Sequence, residues 1–374
     1  MKRSICTIMA IVMVASLLTV AIPINVSNDI EAKSPIVVED GLGNEFSFDG
    51  TPKKMVTLGK GFTATAIRLG LTDNIIVCDK YSVTDNDPLF DGLKSKVDSG
   101  EIKAKGSTYS SGLDDVKADI VSMTENMGLQ NDLDEIVVFV TGTKSSMDSI
   151  STFLKDKGYE YILCWESITS YEKIVDFVEV MSLVMTGEVG DIVRQMSNVV
   201  DHIEDTLSNK SNFQKREAFF VTYSGGGFKV GNTGSLANSM ILAAGGNSIT
   251  TNANETGTTY ETNITNLIAT YGTDVVIFLD NSIASNADHL NNLKTIVGSN
   301  DVKFIPLNPL WNNYCVESME GVWAMACAMY PDEFSGDVPE VPNDSDDGNM
   351  IVFVIAGIIG VIVIGVASFV YLRK

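Results

Sequence analysis

The residues best placed to contact a bound ligand stand where strands are predicted to end. Aromatic rings dominate this set, and rings supply a large contact area at small entropic cost, which suits a bulky, partly apolar ligand. For any one ring, packing in a core is an equally good interpretation. Trp311 and Tyr109 are the strongest candidates, followed by Lys60 and Lys229, which lie near glycines. The full set is Lys60, Phe62, Tyr81, Tyr109, Glu125, Asn126 and Trp165 in the first half of the chain, and Tyr223, Phe228, Lys229, Tyr260, Asn281, Trp311 and Asn312 in the second.

No catalytic signature accompanies these residues. The sequence holds no nucleophile elbow, paired-carboxylate signature or metal motif, and the glycine run 225–227 lacks the lysine and spacing of a phosphate-binding loop. The two histidines, His202 and His289, are too scattered to indicate a zinc-type cluster. We therefore expect a binding protein without a cofactor, with a surface enzyme as the alternative.

Apolar runs alternate with helical periods on both sides of a long helical stretch. An opening hairpin is predicted around the turn at 41–43. Strands are predicted at 55–58, 75–78, 119–123, 136–140 and 161–165, then at 218–223, 275–279 and 303–307; helices are predicted near 62–69, 147–157, 236–244, 264–270, 287–297 and 316–329. Continuous apolar strands separated by helices indicate parallel sheets covered on both faces.

The helical stretch from Tyr171 to Leu207 is longer than the others, with a candidate break at 187–190. It predicts one connecting helix, at 171–210, between two Rossmann-like α/β lobes at 33–170 and 211–334. In α/β sheets, ligands bind at the carboxyl ends of the strands, so two facing lobes place a cleft between their loops.

Both ends of the chain carry membrane signals. Residues 1–32 resemble a secretory signal peptide, with Lys2 and Arg3 before an apolar stretch; an uncleaved signal anchor is the alternative. Residues 350–372 form an apolar run long enough for a transmembrane helix, and the basic residues at 373–374 indicate a cytoplasmic tail. We expect a single-pass protein of the cell membrane whose folded body lies on the extracytoplasmic side, tethered by a flexible acidic linker at 335–349.

The chain is strongly acidic. Its 48 acidic and 26 basic residues give a net charge of −22, and the resulting repulsion argues against nucleic acid or anionic lipid as a partner. Cys78, Cys164, Cys315 and Cys327 stand in apolar segments, so buried free thiols are as good an interpretation as disulfides.

Several stretches, in this order, carry a family resemblance: MVTLGKGFTATAIRLGLTDNIIVCD, LDDVKADIVSM, LAAGGNSIT, YGTDVVIFLD and WNNYCVESMEGVWAMACAMYPDEF. In order and spacing, over roughly 36–334, they resemble the helical-hinge (class III) substrate-binding proteins of ABC importers, the group that captures ferric siderophores, haem and cobalamin. The resemblance implies a monomer that traps a small molecule between lobes rocking about the connecting helix and delivers it to an ABC permease.

The chain departs from that family at the permease-docking positions. The family's docking glutamates, one on each lobe, would fall near Ser111 and Asn266, where this chain has no carboxylate; Asp114, Asp115 and Glu261 are the nearest replacements. A membrane-tethered sensor or scavenger of the same ligand, without a permease partner, is therefore the alternative function.

Arginine is scarce in the body of the chain. Arg68, Arg194 and Arg216 lie on predicted helices or at a strand edge rather than in strand-end loops. Strongly anionic ferric complexes are often held by guanidinium clusters, because each planar fork neutralises several oxygens. The ligand that the resemblance implies is therefore expected to be neutral or weakly charged: a corrinoid, a hydroxamate-type iron complex or haem.

Overall fold

The structure is a computed structural model that describes residues 35–108, 112–166, 168–211, 213–249, 259–261, 264–299 and 301–339. The predicted signal peptide, the linker beyond residue 339 and the predicted C-terminal transmembrane helix lie outside the described residues. Within the part of the chain that is described, no helix is long and apolar enough to cross a membrane.

The first half of the chain forms a parallel sheet after an antiparallel hairpin. The hairpin is β1 (Ile36–Glu39) and β2 (Glu45–Phe48); the sheet has the order β4-β3-β5-β6, with β3 (Lys54–Leu58), β4 (Ile75–Cys78), β5 (Ile136–Gly142) and β6 (Tyr161–Glu166). The strands are almost entirely buried, as expected for a parallel sheet packed on both faces. The helices are α1 (Lys60–Arg68), α2 (Lys80–Thr84), α3 (Asp91–Ser99), α4 (Leu113–Asn126) and α5 (Lys144–Asp156), with 3₁₀ turns at Thr72–Asn74, Pro88–Phe90 and Leu133–Glu135.

The second half forms a mixed sheet of order β10-β8-β7-β11-β12, with β9 also paired to β7. Its strands are β7 (Glu217–Ser224), β8 (Gly227–Gly231), β9 (Asn247–Ser248), β10 (Thr259–Glu261), β11 (Val276–Leu279) and β12 (Lys303–Pro306). Strands β7, β11 and β12 run parallel, whereas β8 returns antiparallel beside β7. Gly225 and Gly226 are thus the turn of a β-hairpin, and Gly227 is the first residue of β8. Its helices are α8 (Leu236–Ala243), α9 (Ile264–Tyr271), α10 (Asn281–Ala284), α11 (Ala287–Val297) and α12 (Ser318–Met329).

Two helices, rather than the predicted single one, connect the sheets: α6 (Tyr171–Thr186) and α7 (Asp191–Ser208). Helix α6 ends at Gly187, whose φ of 82° is a left-handed conformation that glycine adopts without strain. The Ser182 hydroxyl holds the turn, because it donates to the Glu188 carbonyl (3.0 Å) and accepts from the Gly190 N–H (2.9 Å). The prediction of one connecting helix is therefore wrong at the break.

The strand predicted at 119–123 is also wrong, because these residues lie inside α4. Val116, Ile120 and Met123 are buried and follow the spacing of one helical face. A short apolar run fits either a strand or a buried helix, and here the wider helical period decides.

One hydrophobic core runs through both halves of the molecule. It joins Phe62 of α1 and Phe177 of α6 to Met196 of α7 and Phe278 of β11. Two further clusters cover the outer faces of the two sheets. The four cysteines outside the masked N-terminus are free thiols, three of them buried and Cys327 half-buried.

Candidate ligand-binding cleft

A cavity of about 460 Å³ lies where the carboxyl ends of the first sheet meet the loop before α12. This volume is within the range of roughly 300–1,000 Å³ that small-molecule sites occupy. The described residues that line it are Gly59, Lys60, Gly61, Asp79, Tyr81, Thr84, Asp85 and Thr141 from the first half, and Asn312, Asn313 and Tyr314 from the second. The cavity thus stands at the strand ends, between the two halves, where parallel α/β sheets bind ligands.

Gly61 allows the two walls of this cavity to meet. A Cβ atom at this position in the first turn of α1 would lie 2.6 Å from the carbonyl oxygen of Tyr314 and 2.9 Å from its nitrogen. No real side chain tolerates such distances, so glycine lets the 312–314 backbone rest directly on the helix. The cleft is therefore built by backbone contact as well as by side chains.

An ion pair crosses the first wall. The Lys60 ammonium donates to Oδ2 of Asp85 at 2.8 Å, and both side chains are about four-fifths buried. Burial, the largest single influence, raises the pKa of Asp85, but the hydrogen bonds from Lys60 and the Asp87 N–H and the charges of Lys60 and Lys94 together outweigh it and hold that pKa below its ordinary value. Lys60, a predicted ligand contact, thus lines the cavity with its charge already neutralised.

Asp79 is the most buried charged group of the lining, with only 1% of its surface exposed. Its Oδ1 accepts the Tyr81 N–H at 2.8 Å and caps α2. Its Oδ2 meets no donor in hydrogen-bonding geometry among the described residues, although the Ser107 hydroxyl lies close to the carboxylate. Burial raises the pKa of Asp79, and Ser107, Tyr81 and nearby lysines offset only part of that rise.

The opposite wall presents a second unpaired oxygen. Oδ1 of Asn312 is buried and has no hydrogen-bond partner in the part of the chain that the structure describes. Tyr81, across the cavity in α2, keeps 44% of its surface exposed. The predicted contacts Lys60, Tyr81 and Asn312 are therefore brought together at one cavity.

Two other predicted contacts of the first half lie in the hydrophobic core. Phe62 is fully buried and stacks on Phe177 with ring centroids 3.9 Å apart; Trp165 packs edge-on against Phe62 at 5.6 Å. Neither ring lines the cavity. Both residues lie near strand ends, as predicted, but their side chains point into the protein.

Glu125 and Asn126 lie at the far end of the sheet from the cavity. They close α4, where Thr124 shares a hydrogen bond with the hydroxyl of Tyr159, just before β6 begins. They were expected to follow a strand at 119–123, and that strand is a helix. Both side chains are exposed near the amino ends of the strands.

Trp311 faces a second cavity, of about 710 Å³, between α7, α12 and the segment 336–338. Its Nε1 donates to Oε2 of Glu320 at 3.2 Å, and its Cβ packs against Gly321. The strongest predicted contact is thus next to Asn312 in sequence but outside the cleft that Asn312 lines.

The remaining predicted contacts belong to the second sheet. Tyr223 stacks on His289 with centroids 3.8 Å apart and meets the edge of Phe228 at 5.2 Å. Lys229 pairs with Thr222 in the β7-β8 ladder, and Asn281 is exposed at the start of α10. Tyr260 lies in β10, of which only the backbone is described, and Tyr109 lies outside the described residues.

Asp79, Asp85 and Thr141 were missed by the sequence analysis. Asp79 directly follows β4, so the strand-end rule that selected Tyr81 applies to it equally. Among the described residues, no group of three His, Cys, Asp or Glu side chains is arranged to hold a metal ion. The described part of the cleft is suited to binding a ligand through polar contacts.

No protein-family model matches the sequence, and neither does any curated protein. Several solved structures are similar to this chain. CeuE of Helicobacter pylori with Ni(II) bound aligns over 80% of this chain and 90% of its own, with a TM-score of 0.55 and 14% identity. The TroA-like periplasmic binding protein FepB of Veillonella parvula aligns over 80% of this chain and 92% of its own, with a TM-score of 0.57 and 14% identity. The haem-binding protein HmuT aligns over 82% of this chain and 93% of its own, with a TM-score of 0.54 and 14% identity.

The chain has the fold of the TroA-like periplasmic binding proteins. At these identities the likeness concerns the fold, and the resemblance predicted from the sequence is confirmed at that level. The predicted α/β class is confirmed with it.

Proposed function

We propose that the protein captures a small molecule in the cleft between its two halves and releases it unchanged. The cavity of about 460 Å³ at the carboxyl ends of the first sheet, closed by the 312–314 loop, is the observation that supports this function. The fold points the same way, since its solved neighbours are periplasmic binding proteins, one of them described as haem-binding. The ligand is an iron complex, either a siderophore or haem, or a corrinoid.

In this proposal the body works outside the cytoplasm, as a monomer tethered by the C-terminal apolar segment, and hands its ligand to an ABC permease. The alternative is a tethered sensor or scavenger without a permease. It is favoured by Asn266, which is exposed on α9 where the resemblance predicts a docking glutamate. Affinity capture of an ABC permease with the full chain from native membranes would contradict this alternative.

Ligand titration tests the function itself. The full chain, purified in detergent, is analysed by mass spectrometry and absorption spectroscopy for co-purified ligand, then titrated with haemin, cyanocobalamin, a ferric trihydroxamate and a ferric tris-catecholate. At 100 times its dissociation constant, a true ligand stabilises the folded state by about 2.7 kcal/mol, which a thermal-shift measurement detects. If none of these compounds binds and none co-purifies, the proposed function is refuted.

A further inference from the structure

The described lining of the cleft carries more negative than positive charge. Its charged side chains are Lys60, Asp79 and Asp85, and Lys60 is already paired with Asp85. Lys80, the next residue in the chain, lowers the pKa of Asp79 through its charge, but its ammonium lies over the ring of Tyr81, 5.2 Å from the centroid. Asp79 is the lining carboxylate that has no lysine paired with it among the described residues.

The guanidinium groups of the described residues are engaged elsewhere. Arg68 pairs with Glu317, Arg194 with Asp191 and Arg216 with Asp274, and none of the three arginines lines the cavity. A ligand carboxylate or catecholate entering the described part of the cleft would therefore meet no guanidinium group, and it would approach Asp79 as a like charge.

The unpaired oxygens set the polarity of the ligand group that fits. An ionised carboxylate can only accept hydrogen bonds, and Oδ2 of Asp79 is buried beside the cavity with no donor in hydrogen-bonding geometry among the described residues, although the Ser107 hydroxyl lies near the carboxylate. Leaving such an oxygen unpaired is costly, so a donor that reaches it gains more than an ordinary surface hydrogen bond. Asn312 adapts, because rotation of its amide exchanges donor and acceptor. Asp79 therefore decides the selectivity.

We propose that the cleft selects a neutral or cationic ligand that presents an N–H donor, an ammonium or amide group, to Asp79 with Asn312 on the facing wall, and that it discriminates against carboxylate-bearing ligands. The inference rests on the proposed function and narrows its ligand class. A hydroxamate iron complex with a free amine and an amide-rich corrinoid both have this chemistry.

A ligand series with one iron core tests the selectivity. Ferric desferrioxamine B carries a terminal ammonium, its N-acetyl derivative a neutral amide and its N-succinyl derivative a carboxylate. Calorimetric titration of the full chain in detergent is expected to show the ammonium and amide forms binding at least tenfold more tightly than the carboxylate form. Equal or tighter binding of the carboxylate form would overturn the proposal.

Matched variants assign the effect to Asp79. Asp79→Asn keeps the helix cap but removes the charge, and it should weaken the ammonium form at least tenfold and abolish the discrimination. Asp280→Asn is the control, because Asp280 follows β11 and caps α10 in the same way, outside the cavity lining. It should leave all three affinities unchanged. An unaltered order of affinities in Asp79→Asn would refute the assignment.

A second variant and a wider panel separate the two proposals. Asn312→Asp adds a carboxylate to the facing wall and should widen the preference for the ammonium form; a narrower preference would count against the site. If only haemin or the tris-catecholate binds, the selectivity is refuted while ligand capture stands. If cyanocobalamin alone binds, Asp79→Asn should lower the affinity for it at least tenfold. An unchanged affinity would refute the proposed role of Asp79 in selectivity.

Discussion

At the scale of single residues, Asp79 and Asp280 are counterparts in the two halves. Each follows a buried parallel strand and caps a short helix, accepting the N–H two residues ahead at 2.8 Å and 2.9 Å, respectively. They differ in surroundings: Asp79 is 1% exposed with an unpaired oxygen, whereas Asp280 is half-buried and also accepts from the Thr222 hydroxyl. A cap needs only one carboxylate oxygen, so the burial of Asp79 exceeds what capping requires.

Asp79→Asn is expected to stabilise the ligand-free protein at neutral pH. Since burial raises the folded-state pKa of Asp79, the stability linked to its proton is fully present below the ordinary aspartate pKa of about 3.9 and is lost as pH rises through the raised value. Removing the charge should recover about 1 kcal/mol at pH 7, and the gain should shrink as pH falls toward 4. Urea denaturation at several pH values measures it.

Asp280→Asn supplies the comparison for stability as well as for binding. Its change in unfolding free energy should stay within about 0.5 kcal/mol, because asparagine caps a helix as well as aspartate does. If Asp79→Asn destabilised the protein at pH 7 while Asp280→Asn did not, the buried carboxylate would be part of a stabilising network instead of a ligand group held at a cost in stability.

The aromatic candidates show where sequence reasoning stops at this scale. The strand-end rule located Lys60, Tyr81 and Asn312 at the cavity, but Phe62 and Trp165 satisfy it equally and pack in the core. Side-chain direction depends on what packs against each face, here Phe177 of α6, which lies 12 residues beyond Trp165 and 115 residues beyond Phe62. A single sequence does not specify that partner.

At the scale of elements, the strand and helix order was largely predictable. Strands β3, β5, β7 and β11 are short, continuous apolar runs, as parallel sheets require. The errors occurred where the sequence pattern is ambiguous: the run at 119–123 fits either a strand or a helix, and β8 is a short strand whose first three residues are only half-buried. The break between α6 and α7 coincides with the glycines that suggested it.

Gly61→Ala should disturb the join between α1 and the 312–314 loop. The new methyl group would lie within 3 Å of three backbone atoms of Tyr314, so the loop must move. Overpacking of this kind costs about 1–3 kcal/mol, and ligand affinity should fall with it because the loop is a wall of the cleft. Thermal unfolding and ligand titration measure the two effects.

Gly92→Ala is the matched control. Gly92 also lies in the first turn of a helix, α3, but nothing approaches its added methyl group within 4 Å. It should be neutral or stabilising by up to about 1 kcal/mol, with unchanged ligand affinity. Equal effects of the two substitutions would show that the Gly61 contact is not what holds the loop.

A salt bridge ties α1 to the start of α12, which follows the 312–314 loop. Arg68, at the end of α1, donates from Nε to Oε1 of Glu317 at 2.5 Å, and its guanidinium lies 3.6 Å from Glu320. Glu317 is 2% exposed and its Oε2 has no partner among the described residues, so the arginine compensates for a buried charge. This pair holds the start of α12, which follows the segment that carries Trp311 and Asn312.

Replacing one member of the Arg68–Glu317 pair should lower the free energy of unfolding more than replacing both members together. Arg68→Met leaves Glu317 buried and unpaired, and we expect a loss of about 2 kcal/mol, moderated by the partial exposure of Arg68. Arg68→Met combined with Glu317→Gln should recover part of that loss, as a double-mutant cycle in urea denaturation would reveal. Additive losses would mean that the two side chains are not coupled.

At the scale of the whole molecule, the two halves share one core. The cluster that contains Phe62 and Phe139 on one side and Phe220 and Phe278 on the other is continuous through the connecting helices. Elements that share buried contacts unfold together, because neither half retains its core when the other is lost. The shared core also opposes large relative motion of the halves, so the predicted rocking should be of small amplitude.

The tryptophans report separately on the two halves. Trp165 lies in β6 of the first sheet. In the second half, Trp311 precedes α12 and Trp323 lies within it. Trp165→Phe therefore leaves reporters in the second half, and the double variant Trp311→Phe/Trp323→Phe leaves one in the first. In urea, fluorescence of each variant should follow its own far-ultraviolet circular dichroism in a single transition. A bound ligand that contacts both Asp79 and Asn312 should raise the midpoints of both reporters together. Two separated transitions, or a ligand shift confined to one reporter, would show that the halves fold independently and that the cleft does not join them.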